Sequence, residues 1–268
     1  MTPEQDDRSL VIDHLEPEVA DLEGYRLRRR DLKFLLIEPA DYEAWHSRAR
    51  PLGLSQIQYE GLLQDLSEAL LRDGVPLDVC DVRLKGSAAH FFSGAHKLMP
   101  VTRDDIVDAF EAMRSRYPAN WEIMDIEHRL HEVWITDGDR PTQRPFDSFH
   151  RIGIDRERSD IDLQISSDAL TTRCESLLRK AGQSLTEVRM KHPVYNFVKK
   201  PLVEREFPQL FLFTRRMADA LDRNVNVAVF PSAGPPDVSA THPELSAHHT
   251  THDWVVTLEP PTSTEALG

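Results

Sequence analysis

Residues 159–165 read Ser-Asp-Ile-Asp-Leu-Gln-Ile, and this short run constrains the fold more than any other part of the chain. Apolar Ile161, Leu163 and Ile165 alternate with Asp160, Asp162 and Gln164, the period-two pattern of a half-buried strand. Alternation puts Asp160 and Asp162 on one face of that strand and turns the apolar residues into a core. Two carboxylates held so close repel, and a cation between them relieves the repulsion. Hard oxygen ligands in this arrangement suit Mg²⁺ (or Mn²⁺), which takes one or two carboxylates and completes its shell from substrate phosphate oxygens. Taken alone, the spacing is equally that of a solvated strand face carrying two unrelated acids.

A second strand signal lies upstream. Cys80, Val82 and Leu84 alternate with Asp81, Arg83 and Lys85, and the run stops at Gly86-Ser87. A strand that turns out of a sheet through Gly-Ser offers backbone N–H groups and a hydroxyl where a phosphate can come close. Helix periodicity surrounds these strands. Helices are expected over 39–49, over 59–72 (Leu62, Leu63, Leu66 and Leu70 inward), over 103–117 after a Thr102 cap (Ile106, Val107, Phe110 and Met113 inward), over 168–180 and over 208–221. Val225, Val227 and Val229 mark a third core strand, and 254–258 a fourth. The apolar run at 32–37 reads as a short strand, and 118–149 has no clear period. The expected organisation is an N-terminal arm with a short helical or strand segment over 1–52, a main domain over 53–260 with an insertion at about 95–149, and a flexible tail over 261–268.

The bulk properties exclude some functions. A formal net charge of −13 argues against general DNA binding, which needs basic surface to replace counterions, yet leaves room for a local cationic pocket. No apolar run approaches the length of a membrane helix. The acidic start lacks the order of a signal peptide, and Cys80 and Cys174, the two cysteines present, have no metal-type spacing. A cytoplasmic protein with no membrane partner is the expectation.

The phrases LKGSAAHFF and RSDIDLQIS, in that order, resemble the DNA polymerase β-like nucleotidyltransferase superfamily, and within it the bacterial branch similar to cyclic GMP-AMP synthase-like enzymes. That resemblance implies an α/β (α+β) fold: a polymerase β-like core, a mixed sheet with flanking helices and a helical insertion between the first two core strands. It also implies transfer of a nucleoside monophosphate from a nucleoside triphosphate such as ATP to a hydroxyl acceptor, whether nucleotide, small molecule, tRNA or protein. Asp160 and Asp162 would hold the metal, and Gly86 and Ser87 the phosphates. A third carboxylate from a strand beside the Asp160/Asp162 strand is expected at Asp253, which opens the last strand signal; Asn226 is the alternative, and absence of a third ligand is another. One departure stands out. Ser87 and Asp160 lie 73 positions apart, against about a dozen in the usual motif. A second class of function stays open: a catalytically weak or inactive module of the same fold that senses a nucleotide or binds a partner.

Other residues read more simply. His248, His249 and His252 suit a solvated loop better than a zinc site. Lys97, in the loop after Gly94, reads first as a surface lysine and second as a triphosphate contact.

Overall fold

The computed structural model describes residues 18–22, 24–135, 137–182, 190–192, 196–237, 249–250 and 252–261. The arm over 1–17 and the tail over 262–268 therefore lie outside the described residues. The chain divides into two compact units.

The first unit joins the N-terminal segment to most of the insertion, residues 99–142 and 147–156. Strands β1 (Glu18–Leu22) and β2 (Tyr25–Arg28) form an antiparallel hairpin. Helix α1 (Arg29–Leu35) follows where the sequence suggests a strand. The difference has a local cause. The Asp31 carboxylate accepts the Arg28 N–H at 2.7 Å, capping the first turn, and Leu36 enters the left-handed region at φ 53° to end it. Leu32 and Leu35, three apart, are buried together. A short helix, α2 (Pro39–His46), comes next. The insertion supplies α5 (Arg103–Arg114), α6 (Asn120–Val133) and α7 (Ser148–Ile152), which follow α3 (Gln56–Arg72) and α4 (Ser87–His90) of the second unit in sequence. Thr102 caps α5 and Ser115, at φ 52°, closes it three residues before the expected end. Ile106 and Phe110 of α5, Ile123, Ile126 and Leu130 of α6, and Trp134 form one core with Phe149 and Ile152. Met113, expected inside, is exposed.

The second unit is a mixed four-stranded sheet with helices. Its elements are α3 (Gln56–Arg72), β3 (Asp81–Lys85), α4 (Ser87–His90), β4 (Ile161–Ser166), α8 (Asp168–Lys180), α9 (Lys200–Glu206), α10 (Pro208–Leu221), β5 (Val225–Phe230) and β6 (Trp254–Val256). The strand order is β5-β4-β3-β6. β3 runs antiparallel to both β4 and β6, while β4 and β5 are parallel. A parallel β4–β5 pair requires a long crossover, which α8, α9 and α10 provide. Period two sorts the side chains. Val82, Leu84, Ile161, Leu163, Ile165, Val229, Trp254 and Val256 are buried on one face. Arg83, Lys85, Asp162, Gln164 and Asn226 occupy the other. On the apolar side α10 packs against β5 and α3, and α8 packs against β5.

One carboxylate fastens two of these helices. Asp73, just past α3, accepts the N–H groups of Gln209 (3.1 Å) and Leu210 (2.9 Å) in the first turn of α10, which otherwise begins without a side-chain cap. Replacing Asp73 by Ala is expected to cost about 1–2 kcal/mol in urea unfolding, and Asp73→Asn less, since one amide oxygen still accepts. An unchanged urea midpoint in Asp73→Ala would show that the contact contributes nothing.

Candidate functional site

The register of β3 on β4 builds the site. Lys85, the last residue of β3, stands opposite Asp162, so the chain leaving β3 passes Asp162 at once. Gly86 makes that passage possible. Its φ of +73° is a conformation that side-chain-bearing residues rarely adopt. A Cβ placed there would lie 2.6 Å from Asp162 Oδ2. Ser87 then begins α4, and the Ala89 and His90 N–H groups donate to the Gly86 carbonyl at 3.2 and 3.0 Å. The two phrases 73 positions apart are thus brought together, with the Gly86 backbone against the Asp162 carboxylate.

Asp160 and Asp162 share the polar face of the sheet as their spacing requires, and both are half-buried. Burial raises the carboxyl of Asp162 above its ordinary range, and the neighbouring charge of Asp160 adds to this. Asp160 is raised by burial too, while Asn224, Asn226 and the positive charge of Lys97 oppose the rise. Both acids therefore lie where negative charge is costly and a cation would be welcome. Lys97 is exposed, and its charge acts on both members of the pair; the sequence offered this only as its second reading.

The neighbour of the pair is Asn226. It stands opposite Asp162 on the parallel strand β5, and its amide Nδ2 donates to Asp160 Oδ2 at 2.9 Å and to Asp162 Oδ1 at 3.2 Å. The structure places Asp253 differently from the expectation. β6, the strand that Asp253 precedes, pairs with β3 and not with β4, so β3 separates Asp253 from the acid pair. Its carboxylate is buried and occupied: Lys85 Nζ lies 2.5 Å from Oδ1 and Arg83 Nη1 3.0 Å from Oδ2. The Thr250 N–H and hydroxyl also donate to it, at 3.1 and 3.0 Å. Parity along the strand is legible in sequence; which strand lies beside which is not, and that is why the two candidates exchange places. Among the described residues, no group of three or more His, Cys, Asp or Glu side chains is placed to hold a metal ion. The two carboxylates, bridged by the Asn226 amide N–H groups, are a pair of hard oxygen donors that could hold one divalent cation completed by phosphate oxygens.

The histidine cluster divides. His248 lies outside the described residues. His249 Nε2 is 3.2 Å from Ser166 Oγ, at the end of β4 remote from Asp162, and its ring is drawn below its ordinary value by burial first and by Arg83 second.

Burial alone would raise Asp253, but Lys85, the Thr250 N–H and Arg83 bring it down to about 2. A depressed folded value contributes stability above the unfolded carboxylate range near 3.9, and that contribution disappears as pH falls through the folded value. Asp253→Asn should therefore be less stable than the parent at pH 7, by on the order of 2 kcal/mol. The gap should close between about pH 5 and pH 2. A gap that stays constant across that window in urea titrations would contradict the assignment.

No family model matches the chain, and no curated protein or solved structure does so either.

Proposed function

We propose that the chain is a nucleotidyltransferase that binds a nucleoside triphosphate at Gly86-Ser87 and Asp160/Asp162 and passes its nucleoside monophosphate to a hydroxyl acceptor. One observation carries this reading: Gly86 is seated so close against the Asp162 carboxylate that a Cβ there would lie 2.6 Å from its Oδ2. A turn that approaches an acid pair this closely is suited to a ligand that is both phosphate-rich and cation-bearing. The mixed sheet and the helices inserted between β3 and β4 agree with a polymerase β-like core.

Each side chain has a part in this scheme. Asp160 and Asp162 supply two carboxylate oxygens on one strand face to a divalent cation. When bound, Mg²⁺ or Mn²⁺ would neutralise phosphate charge and lower the pKa of the attacking hydroxyl. Asn226 holds the two carboxylates in place by donating to both. Rotated by half a turn, the same amide presents its oxygen. Lys97 adds positive charge toward the pair, where it offsets the triphosphate. The acceptor oxygen bonds to the α-phosphorus, the bond to the bridging oxygen breaks, pyrophosphate leaves, and the acceptor proton goes to solvent. Positioning and electrostatics do most of the work in such a transfer.

Asn226 favours a second reading as well. A site with an amide beside two carboxylates carries less charge for cations than one with three acids, which suits a protein that binds a triphosphate and turns it over slowly, as a sensor or partner-binding module.

Incubating the protein with each α-labelled nucleoside triphosphate and Mg²⁺ or Mn²⁺ separates these readings. The enzyme reading expects labelled product with release of pyrophosphate. It also expects loss of more than 99% of that signal, roughly 3 kcal/mol of transition-state stabilisation, in Asp160→Asn and Asp162→Asn. Both variants should melt no lower than the parent at pH 7, because a like-charge repulsion is removed. Gly86→Ala should lose triphosphate affinity with an unchanged far-UV spectrum. Triphosphate binding without product would favour the sensor, and near-parental turnover by either Asp variant would reject the site.

A further inference from the structure

Across the polar face of the sheet runs a row of four side chains, Asp253, Lys85, Asp162 and Asn226, one from each strand or its edge. Lys85 is the only cation in the row and stands between two acids. Its Cα is the register partner of Asp162, and facing side chains of an antiparallel pair have Cβ atoms about 5 Å apart. A four-carbon stem reaches either neighbour from there. In the structure the ammonium lies on Asp253, at 2.5 Å.

We propose that Asp253 is a positioning residue that draws the Lys85 ammonium away from Asp162 and so keeps the acid pair available to a divalent cation. The inference rests on the reading that Asp160 and Asp162 hold that cation.

Asp253 is built to win this competition. Its carboxylate is buried and fixed by the Thr250 N–H and hydroxyl. Its backbone is fixed as well: Arg48 donates to the Asp253 carbonyl at 3.0 Å and to the His252 carbonyl at 2.8 Å. Arg83 shares this carboxylate through Nη1 at 3.0 Å without displacing Lys85, because its Nε and Nη2 are held by Asp81 at 3.0 and 2.8 Å. Without the Asp253 charge, Asp162, the register partner of Lys85, is an acid within reach of the Lys85 stem. An ammonium there cancels one of the two negative charges that a divalent cation requires, at the same oxygens it would use. Asp253 thus governs the site without being a ligand of it, through a lysine on the strand between.

The test is the affinity of the 268-residue chain for Mn²⁺ alone, read from the free-ion signal in electron paramagnetic resonance titrations. The parent should bind, and Asp160→Asn should not. Asp253→Asn should bind at least fivefold more weakly. Asp253→Asn with Lys85→Met should return to within threefold of the parent, since the stray ammonium is gone. A residue that only held the fold together would leave the double variant as weak as the single one. An affinity within fivefold of the parent in Asp253→Asn, or a double variant that stays weak, overturns the proposal and leaves the cation reading intact. A parent that binds no Mn²⁺, or binds it equally well as Asp160→Asn, overturns both.

Discussion

Everything proposed for this protein depends on the antiparallel pairing of β3 with β4, which sets Lys85 opposite Asp162 and delivers Gly86 to the acid pair. The pairing closes a loop of more than seventy residues, and its cost decides whether such a site is reasonable. Loop-closure entropy grows only with the logarithm of length. Lengthening a connection from about a dozen residues to 73 costs roughly 1.6 kcal/mol in closing the ends. That is small beside the burial of Val82, Leu84, Leu163 and Ile165, each fully buried apolar side chain contributing about 1.5–3 kcal/mol. Nor is the insertion a loose loop. Residues 99–142 and 147–156 join the N-terminal segment in a unit with its own core, so its ordering is compensated by its own packing.

The polar face of the sheet is a balance of charges in a chain whose net charge is −13. Asp160 and Asp162 are raised by burial, and Asp162 also by its neighbour, while Asp253 is pulled far down by Lys85, Thr250 and Arg83. Three acids on one face of the sheet thus fall into two groups. One is satisfied within the protein. The other is left needing positive charge, with an amide from Asn226 and a distant lysine as its compensation. An acid paired with two cations is a poor ligand and an acid pair raised by burial a better one, and this division supports the cation site proposed at Asp160 and Asp162.

The core strands and the helices at 168–180 and 208–221 were legible because their periodicity agrees with their burial. The alternation of Asp160 and Asp162 with Ile161 and Leu163 carried its meaning unchanged into the structure. The segment at 32–37 was not legible, since its apolar run suits strand or helix and the capping by Asp31 and the partners of Leu32 and Leu35 decide. Helix α6 has no legible period because Trp121 and Met124, both exposed, blur the inward stripe of Ile123, Ile126 and Leu130. Asp253 and Asn226 show the deeper limit. Both have the right parity for the polar face, but strand order is a property of the assembled sheet, and no local pattern encodes that β5 and not β6 adjoins β4.

Two phrases far apart in sequence are proposed to share one cation-bearing site. Paramagnetic broadening by Mn²⁺ tests it directly in the backbone amide spectrum of the protein. Substoichiometric Mn²⁺ is expected to broaden Gly86 and Ser87 together with Asp162 and Asn226, and Asp162→Asn to abolish the broadening at all four. If Gly86 and Ser87 stayed sharp at Mn²⁺ levels that erase Asp162, the two phrases would not share a site.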